Sequence, residues 1–173
     1  MMISVMIEAA QDDEALAMTL AMLVPGAVEG VISDVTIIDR GMNEASRTVA
    51  DAAGCRIMPS SDMHAALIGA RSDWLMMIEP GARLLPGWIE RLSSHLGYDG
   101  RPARFKRAHQ ARASVLERFR QQRSTLALGL VVKKSAIATR LEGAVGLRDV
   151  AKLVKPMTLD CAIVPAGRAP RRA

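Results

Sequence analysis

Three short apolar runs, each apolar on both faces and each closed by an acidic residue, constrain this chain most. They are Ile3-Ser4-Val5-Met6-Ile7 ending at Glu8, Val35-Thr36-Ile37-Ile38 ending at Asp39, and Trp74-Leu75-Met76-Met77-Ile78 ending at Glu79. Runs of this length without polar alternation read as strands buried on both sides. Helical patterns lie between them. Asp12-Asp13-Glu14 supply a cap and an acidic first turn, and Leu16, Leu20 and Leu23 form a stripe that Pro25-Gly26 is expected to stop. A second helix is expected from about Asn43 to Ala53, closed by Gly54, then a short strand over Cys55 to Met58 and a helix around Asp62 to Ala70.

Strands alternating with helices predict an α/β fold: a three-layer, mostly parallel, Rossmann-like sheet covered on both faces. Right-handed crossovers bring the loops after the strands to one edge, where such sheets bind ligands. Glu8–Asp12, Asp39–Gly41 and Glu79–Gly81 all fall on that edge.

Further along, Pro86-Gly87-Trp88 opens another helix, Ala127 to Val132 reads as a strand, and Lys134 to about Leu141 as a helix. Gly146-Leu147-Arg148-Asp149 leads into an amphipathic helix expected to end near Pro156, and Ile163-Val164 reads as a last strand. One domain over residues 1–165 is expected, with a basic, disordered tail over 166–173. Only 3% of the residues are aromatic, so aliphatic residues and 11 methionines must fill the core.

Charge is divided along the chain. Residues 1–100 hold 6 Lys and Arg against 14 Asp and Glu, a net of −8; residues 101–173 hold 17 against 4, a net of +13. A basic half favours an anionic partner or the acidic half of the same molecule. Over 101–123, Phe105, Ala108, Ala111, Val115, Leu116 and Phe119 recur at helical spacing, which predicts a basic amphipathic helix whose charged side is first of all a solvated face and, as an alternative, lies on an anionic membrane. Nucleic acid is a weaker expectation, because stacking aromatics and a reading motif are missing.

Cys55 and Cys161 show no CxxC or metal-ligand spacing, and His64, His95 and His109 form no paired motif. There is no GxSxG, no phosphate-binding GxxxxGK[ST] and no GxGxxG, which argues against a serine hydrolase, an NTPase and a classical dinucleotide oxidoreductase. The first apolar run lacks a basic leader, and no stretch approaches the ~18–20 apolar residues of a membrane span. The expected location is cytoplasmic, peripheral to the inner membrane face at most.

The runs ISVMIEAAQDDEALAMTLAML, VTIIDRGMNEASRTVADAAGCRIM and RSDWLMMIEPGARLLPGWIERL, in this order, resemble a family-2 glycosyltransferase of the glycosyltransferase-A fold. LGLVVKKSAI resembles the segment before that family's acceptor site, and LRDVAKLV the helix bearing its Glu-Asp pair. The resemblance implies transfer of a sugar, with inversion, from a nucleotide-activated donor to a saccharide or lipid-linked acceptor, as in bacterial polysaccharide or glycolipid synthesis. It implies that Glu8, Asp39 and Glu79 contact the nucleotide, with Asp39 on the base and Glu79 as the first carboxylate of the Asp-x-Asp. Asp149 takes the place of the general base. The implied cofactor is a divalent metal, manganese or magnesium, with Glu79 as its remaining ligand.

The sequence departs from the family where the metal is held. Gly81 replaces the second carboxylate of Asp-x-Asp, and Arg148 replaces the glutamate of the Glu-Asp pair. One carboxylate is a sparse cage for a divalent cation. Arg40, Arg83 and Arg148 are the candidates to neutralise a diphosphate instead, since guanidinium offers bidentate donors to phosphate. The same departures leave open a catalytically inactive relative that binds a nucleotide, a partner protein or a membrane. A nucleotidyltransferase would need a Gly-rich, Lys-containing first loop, which this chain lacks.

Overall fold

In the computed structural model, which describes residues 1–108 and 125–167, the three apolar runs become neighbouring parallel strands. They are β1 (Ile3–Ala9), β2 (Ile32–Asp39) and β4 (Trp74–Met77); β3 (Arg56–Pro59) adds to the outer side of β2. The other half of the sheet is mixed: β5 (Arg83–Leu84), β6 (Ala103–Arg107), β7 (Leu130–Lys133) and β8 (Met157–Val164). The strand order is β3-β2-β1-β4-β7-β6-β8-β5. Pairing is parallel from β3 to β4 and between β6 and β8, and antiparallel at β4–β7, β6–β7 and β5–β8.

Side chains alternate between two cores, as a pleated strand requires. Ile3, Val5 and Ile7 face one core, with Leu16, Leu20 and Leu23 of α1 (Asp13–Val28) and Trp88, Leu92 and Leu96 of α4 (Trp88–Tyr98). Met6, Leu75 and Met77 face the other, with Met63 and Leu67 of α3 (Met63–Ile68) and Leu147 and Val150 of α6 (Leu147–Lys152). Helix α2 (Glu44–Ala52) follows β2, and α5 (Lys134–Ile137) is a single turn after β7. The three-layer α/β sheet expected from the strand pattern is therefore present.

Several local expectations are corrected. Pro25-Gly26 does not stop α1, which runs on to Val28 and ends through Gly30, whose positive φ of 72° provides the reversal. Pro25 is tolerated because only the last turn lacks its donor. Gly26 serves packing instead: a Cβ there would sit 2.4 Å from the Trp88 ring and 3.1 Å from Ile32 Cδ1. Gly26→Ala is therefore expected to lower the thermal midpoint by several degrees. Overpacking of about 1–3 kcal/mol outweighs the roughly 1 kcal/mol gained in helix propensity. An unchanged midpoint would mean that the buried indole yields.

The basic segment is corrected more deeply. Residues 103–107 form β6, in the sheet between β7 and β8, where Ala103 and Phe105 are fully buried. β-sheet pairing on both sides overrides the helical spacing. The rest of the expected basic helix, including Ala111, Val115, Leu116 and Phe119, lies outside the described residues, as does the tail from 168. The strand expected at Ile163-Val164 is eight residues long and begins at Met157. Among the described residues, no helix is long and apolar enough to cross a membrane.

Candidate functional site

The carboxyl ends of β1, β2 and β4 lie side by side, because Ala9 pairs with Asp39 and Met6 with Met77. Their loops, together with the approach to α6, surround a cavity of about 570 Å³. Glu8, Arg40, Glu79, Arg148 and Asp149 line it, so five of the seven residues expected at the site converge there. Asp39 and Arg83 do not line it.

Asp39 is committed to its own loop. Its Oδ1 accepts from the Gly41 and Met42 amides, both at 2.8 Å, and its Oδ2 from the Arg47 guanidinium. The Met42 amide above all, then the Gly41 amide and Arg47, hold the carboxyl below its ordinary value, against an opposing effect of burial. Asn43, not Asp39, caps α2, accepting from the Ser46 amide at 2.8 Å. Arg83 is exposed on the edge strand β5, opposite Val164 of β8.

Glu79 follows β4, and its Oε1 accepts from Arg148 Nη2 at 3.2 Å. Arg148 remains two-thirds exposed toward the cavity (68%), while Glu79 is less so (22%). Gly81, where the family resemblance leads one to expect a second carboxylate, has φ of 87°, and its amide donates to Thr19 Oγ1 at 2.8 Å. A Cβ at this position would meet Ala15 and Ala166 at 3.4 and 3.5 Å. The backbone here is thus drawn onto α1 in a conformation that disfavours a side chain. The carboxylates that line the cavity do not offer a divalent cation a free cage, since each is already bonded within the chain: Glu79 to Arg148, Glu8 to Arg40 and the Leu147 amide, Asp149 to Lys152 and the Val145 amide, and Asp12 to the Ala15 amide. Among the described residues no group of three or more His, Cys, Asp or Glu side chains is placed to hold a metal.

Asp149 lies in the first turn of α6 and is exposed to the cavity. Its Oδ1 accepts from Lys152 Nζ at 2.8 Å and its Oδ2 from the Val145 amide at 3.3 Å. Lys152 chiefly, then the Val145 amide, keep its carboxyl below the ordinary range. The Lys152 partner, three residues on, is a pairing that helical spacing alone could have revealed. Glu8 and Arg40 pair at 2.7 Å and reach the loop before α6: Leu147 N donates to Glu8 Oε1 at 3.0 Å, and Arg40 Nη2 donates to the Val145 carbonyl. His64 Nε2 lies 3.1 Å from the Ala144 carbonyl, and His95 packs edge-on to Trp74.

A Rossmann-like sheet with its cavity at the carboxyl ends of the parallel strands, continued by a mixed half-sheet, is the glycosyltransferase-A architecture. Glucosyl-3-phosphoglycerate synthase from Mycobacterium tuberculosis, solved with Mn2+, uridine-diphosphate and phosphoglyceric acid, has this fold. It matches 98% of this chain and 71% of its own, with a TM-score of 0.66 and 14% identity. The same enzyme with Mn2+ and uridine-diphosphate-glucose matches at 0.62 and 12%, over 98% of this chain and 72% of its own. Mannosyl-3-phosphoglycerate synthase from Rubrobacter xylanophilus matches at 0.61 and 13%, covering 98% of this chain and 68% of its own. No family model and no curated protein matches the sequence. At such identities the likeness establishes the fold, and the chemistry has to be argued from the site.

Proposed function

We propose that this protein transfers a sugar, with inversion, from a nucleoside-diphosphate sugar to an acceptor hydroxyl, using a guanidinium where relatives of this fold use a divalent cation. The convergence of Glu79, Arg148 and Asp149 on one cavity at the carboxyl edge carries this reading. Asp149 takes the acceptor proton, and the oxygen forms a bond to the anomeric carbon as its bond to the diphosphate breaks. The diphosphate leaves with the electron pair, and Arg148 meets its charge. Glu79 holds the Arg148 guanidinium at the cavity wall. The structural neighbours were solved with UDP-glucose as donor and with phosphoglyceric acid or glycerol 3-phosphate. These are the first compounds to test beside saccharide and lipid-linked acceptors.

A second reading, an inactive relative that binds the nucleotide without turning it over, is favoured by one observation. Both Asp149 oxygens and Glu79 Oε1 already have partners within the chain.

Calorimetric titration with UDP, with manganese and with EDTA, separates the possibilities. The expected result is binding of equal strength in both, weakened about ten- to hundred-fold by Arg148→Ala, the loss of one charge-assisted phosphate contact. Binding that requires manganese would reject the guanidinium and retain the transferase. Binding without any transfer or donor hydrolysis would favour the inactive relative.

A further inference from the structure

We propose that Glu8 and Arg40, expected from the sequence as nucleotide and diphosphate contacts, instead form a latch that positions helix α6, and that Gly146 is the residue that lets the latch close. The latch has a catalytic purpose only if Asp149 and Arg148 act as proposed above, because these are the residues that α6 presents to the cavity.

The loop before α6 is held on both sides by one ion pair. Glu8 Oε1, at the end of β1, accepts from Arg40 Nε at 3.1 Å, from Arg40 Nη2 at 2.7 Å and from the Leu147 amide at 3.0 Å. Arg40, just past β2, passes its Nη2 on to the Val145 carbonyl. The peptide units on either side of Gly146 are therefore anchored, one through its carbonyl and the other through its amide. The Val145 amide then donates to Asp149 Oδ2, and the Gly146 carbonyl accepts from the Asp149 and Val150 amides at 2.9 and 3.2 Å. A continuous set of hydrogen bonds thus runs from the two strand ends to the carboxylate proposed as base.

Gly146 separates space from conformation. Its φ of −153° and ψ of 168° are extended, which any residue adopts, so no strain requires glycine here. Space does: a Cβ would lie 2.6 Å from Arg40 Nη2 and 2.9 Å from Glu8 Oε1. The backbone of this loop lies directly against the ion pair, which only a residue without a side chain permits. Glu8 is partly buried, with 21% of its side chain exposed, and Arg40 is the more exposed partner at 32%. The ion pair is therefore a positional device, set by its three hydrogen bonds to the loop and to its partner rather than by the energy of a surface charge pair.

The test uses amide hydrogen exchange and carbon-13 titration of the Asp149 carboxyl in the full chain, neither of which needs turnover. In Glu8→Ala, and separately in Gly146→Ala, exchange at Leu147, Asp149 and Val150 is expected to quicken about tenfold or more, while β1 and β4 keep their protection. In both variants the Asp149 pKa is expected to rise, because the Val145 amide no longer faces its carboxylate; Lys152 remains to hold part of the depression. Glu8→Gln keeps an acceptor for the Leu147 amide and is expected to recover part of the protection. Unchanged exchange over 145–150 in either alanine variant would overturn the latch. So would an equal loss of protection across β1 and β4, which would make the pair a general support of the sheet. The assignment of Asp149 as base fails by a different result, transfer surviving in Asp149→Asn.

Discussion

Asp149→Asn is expected to reduce sugar transfer by about a hundred- to ten-thousand-fold, the usual contribution of a positioned general base, while leaving the folded structure unchanged. Asparagine keeps the size of the side chain and an acceptor oxygen for the Val145 amide, so far-ultraviolet dichroism and the thermal midpoint should match those of the parent. What is lost is the capacity to take a proton, together with an exposed charge pair to Lys152 that adds little to stability. The pH profile carries the same signature. Asp149 works as the ionised form, and Lys152, followed by the Val145 amide, holds its pKa below the ordinary 3.8. A base with a lowered pKa stays ionised as pH falls through the ordinary carboxylate range, so its acid limb lies lower than usual. Lys152→Ala removes the largest stabiliser of the carboxylate, lifts the pKa toward its ordinary value and moves that limb upward. Transfer that survives in Asp149→Asn, or an acid limb unmoved in Lys152→Ala, would take Asp149 out of the mechanism.

The parts of the fold that burial decides were legible in the sequence. Ile3 to Ile7, Val35 to Ile38 and Trp74 to Ile78 are apolar on both faces because helices cover both faces of the sheet. The edge at which Glu8, Arg40 and Glu79 gather then follows from right-handed connection. The mixed half of the sheet was harder to read. Ala103 to Arg107 is a strand because β7 and β8 pair with it, a long-range cause that its own helical spacing contradicts. Beyond the Asp149–Lys152 pair, which helical spacing encodes, the bonding state of the site was not legible. Glu8, Arg40, Asp39 and Glu79 were found as residues, yet their partners Leu147, Val145, Arg47 and Arg148 lie from 8 to more than 100 positions away. No local pattern encodes such pairs. Gly81 and Gly146 are of the same kind. One read as a lost carboxylate and the other as a helix approach, and what each permits is a close contact made by the fold.

Trp74→Ala is expected to damage the core severely, costing about 3–5 kcal/mol. That is a large part of the roughly 5–15 kcal/mol that holds a domain of this class together. Trp74 is 2% exposed at the start of β4, opposite Ile3 on one side and Lys133 on the other. The His95 ring packs edge-on to it with centroids 5.7 Å apart, and Lys133 Nζ lies 5.1 Å from the ring centroid. Truncation leaves a cavity and removes both contacts, so the urea midpoint should fall steeply, with Trp74→Phe between the alanine variant and the parent. The site should respond differently. Trp74 stands at the opposite end of β4 from Glu79, and the cavity is built from the carboxyl ends of the strands. Molecules that remain folded should therefore bind UDP with the parental affinity, measured at a temperature well below the lowered midpoint. Stability and binding lost together would mean that the carboxyl edge is not an independent platform but is held in shape by the far end of the same strand.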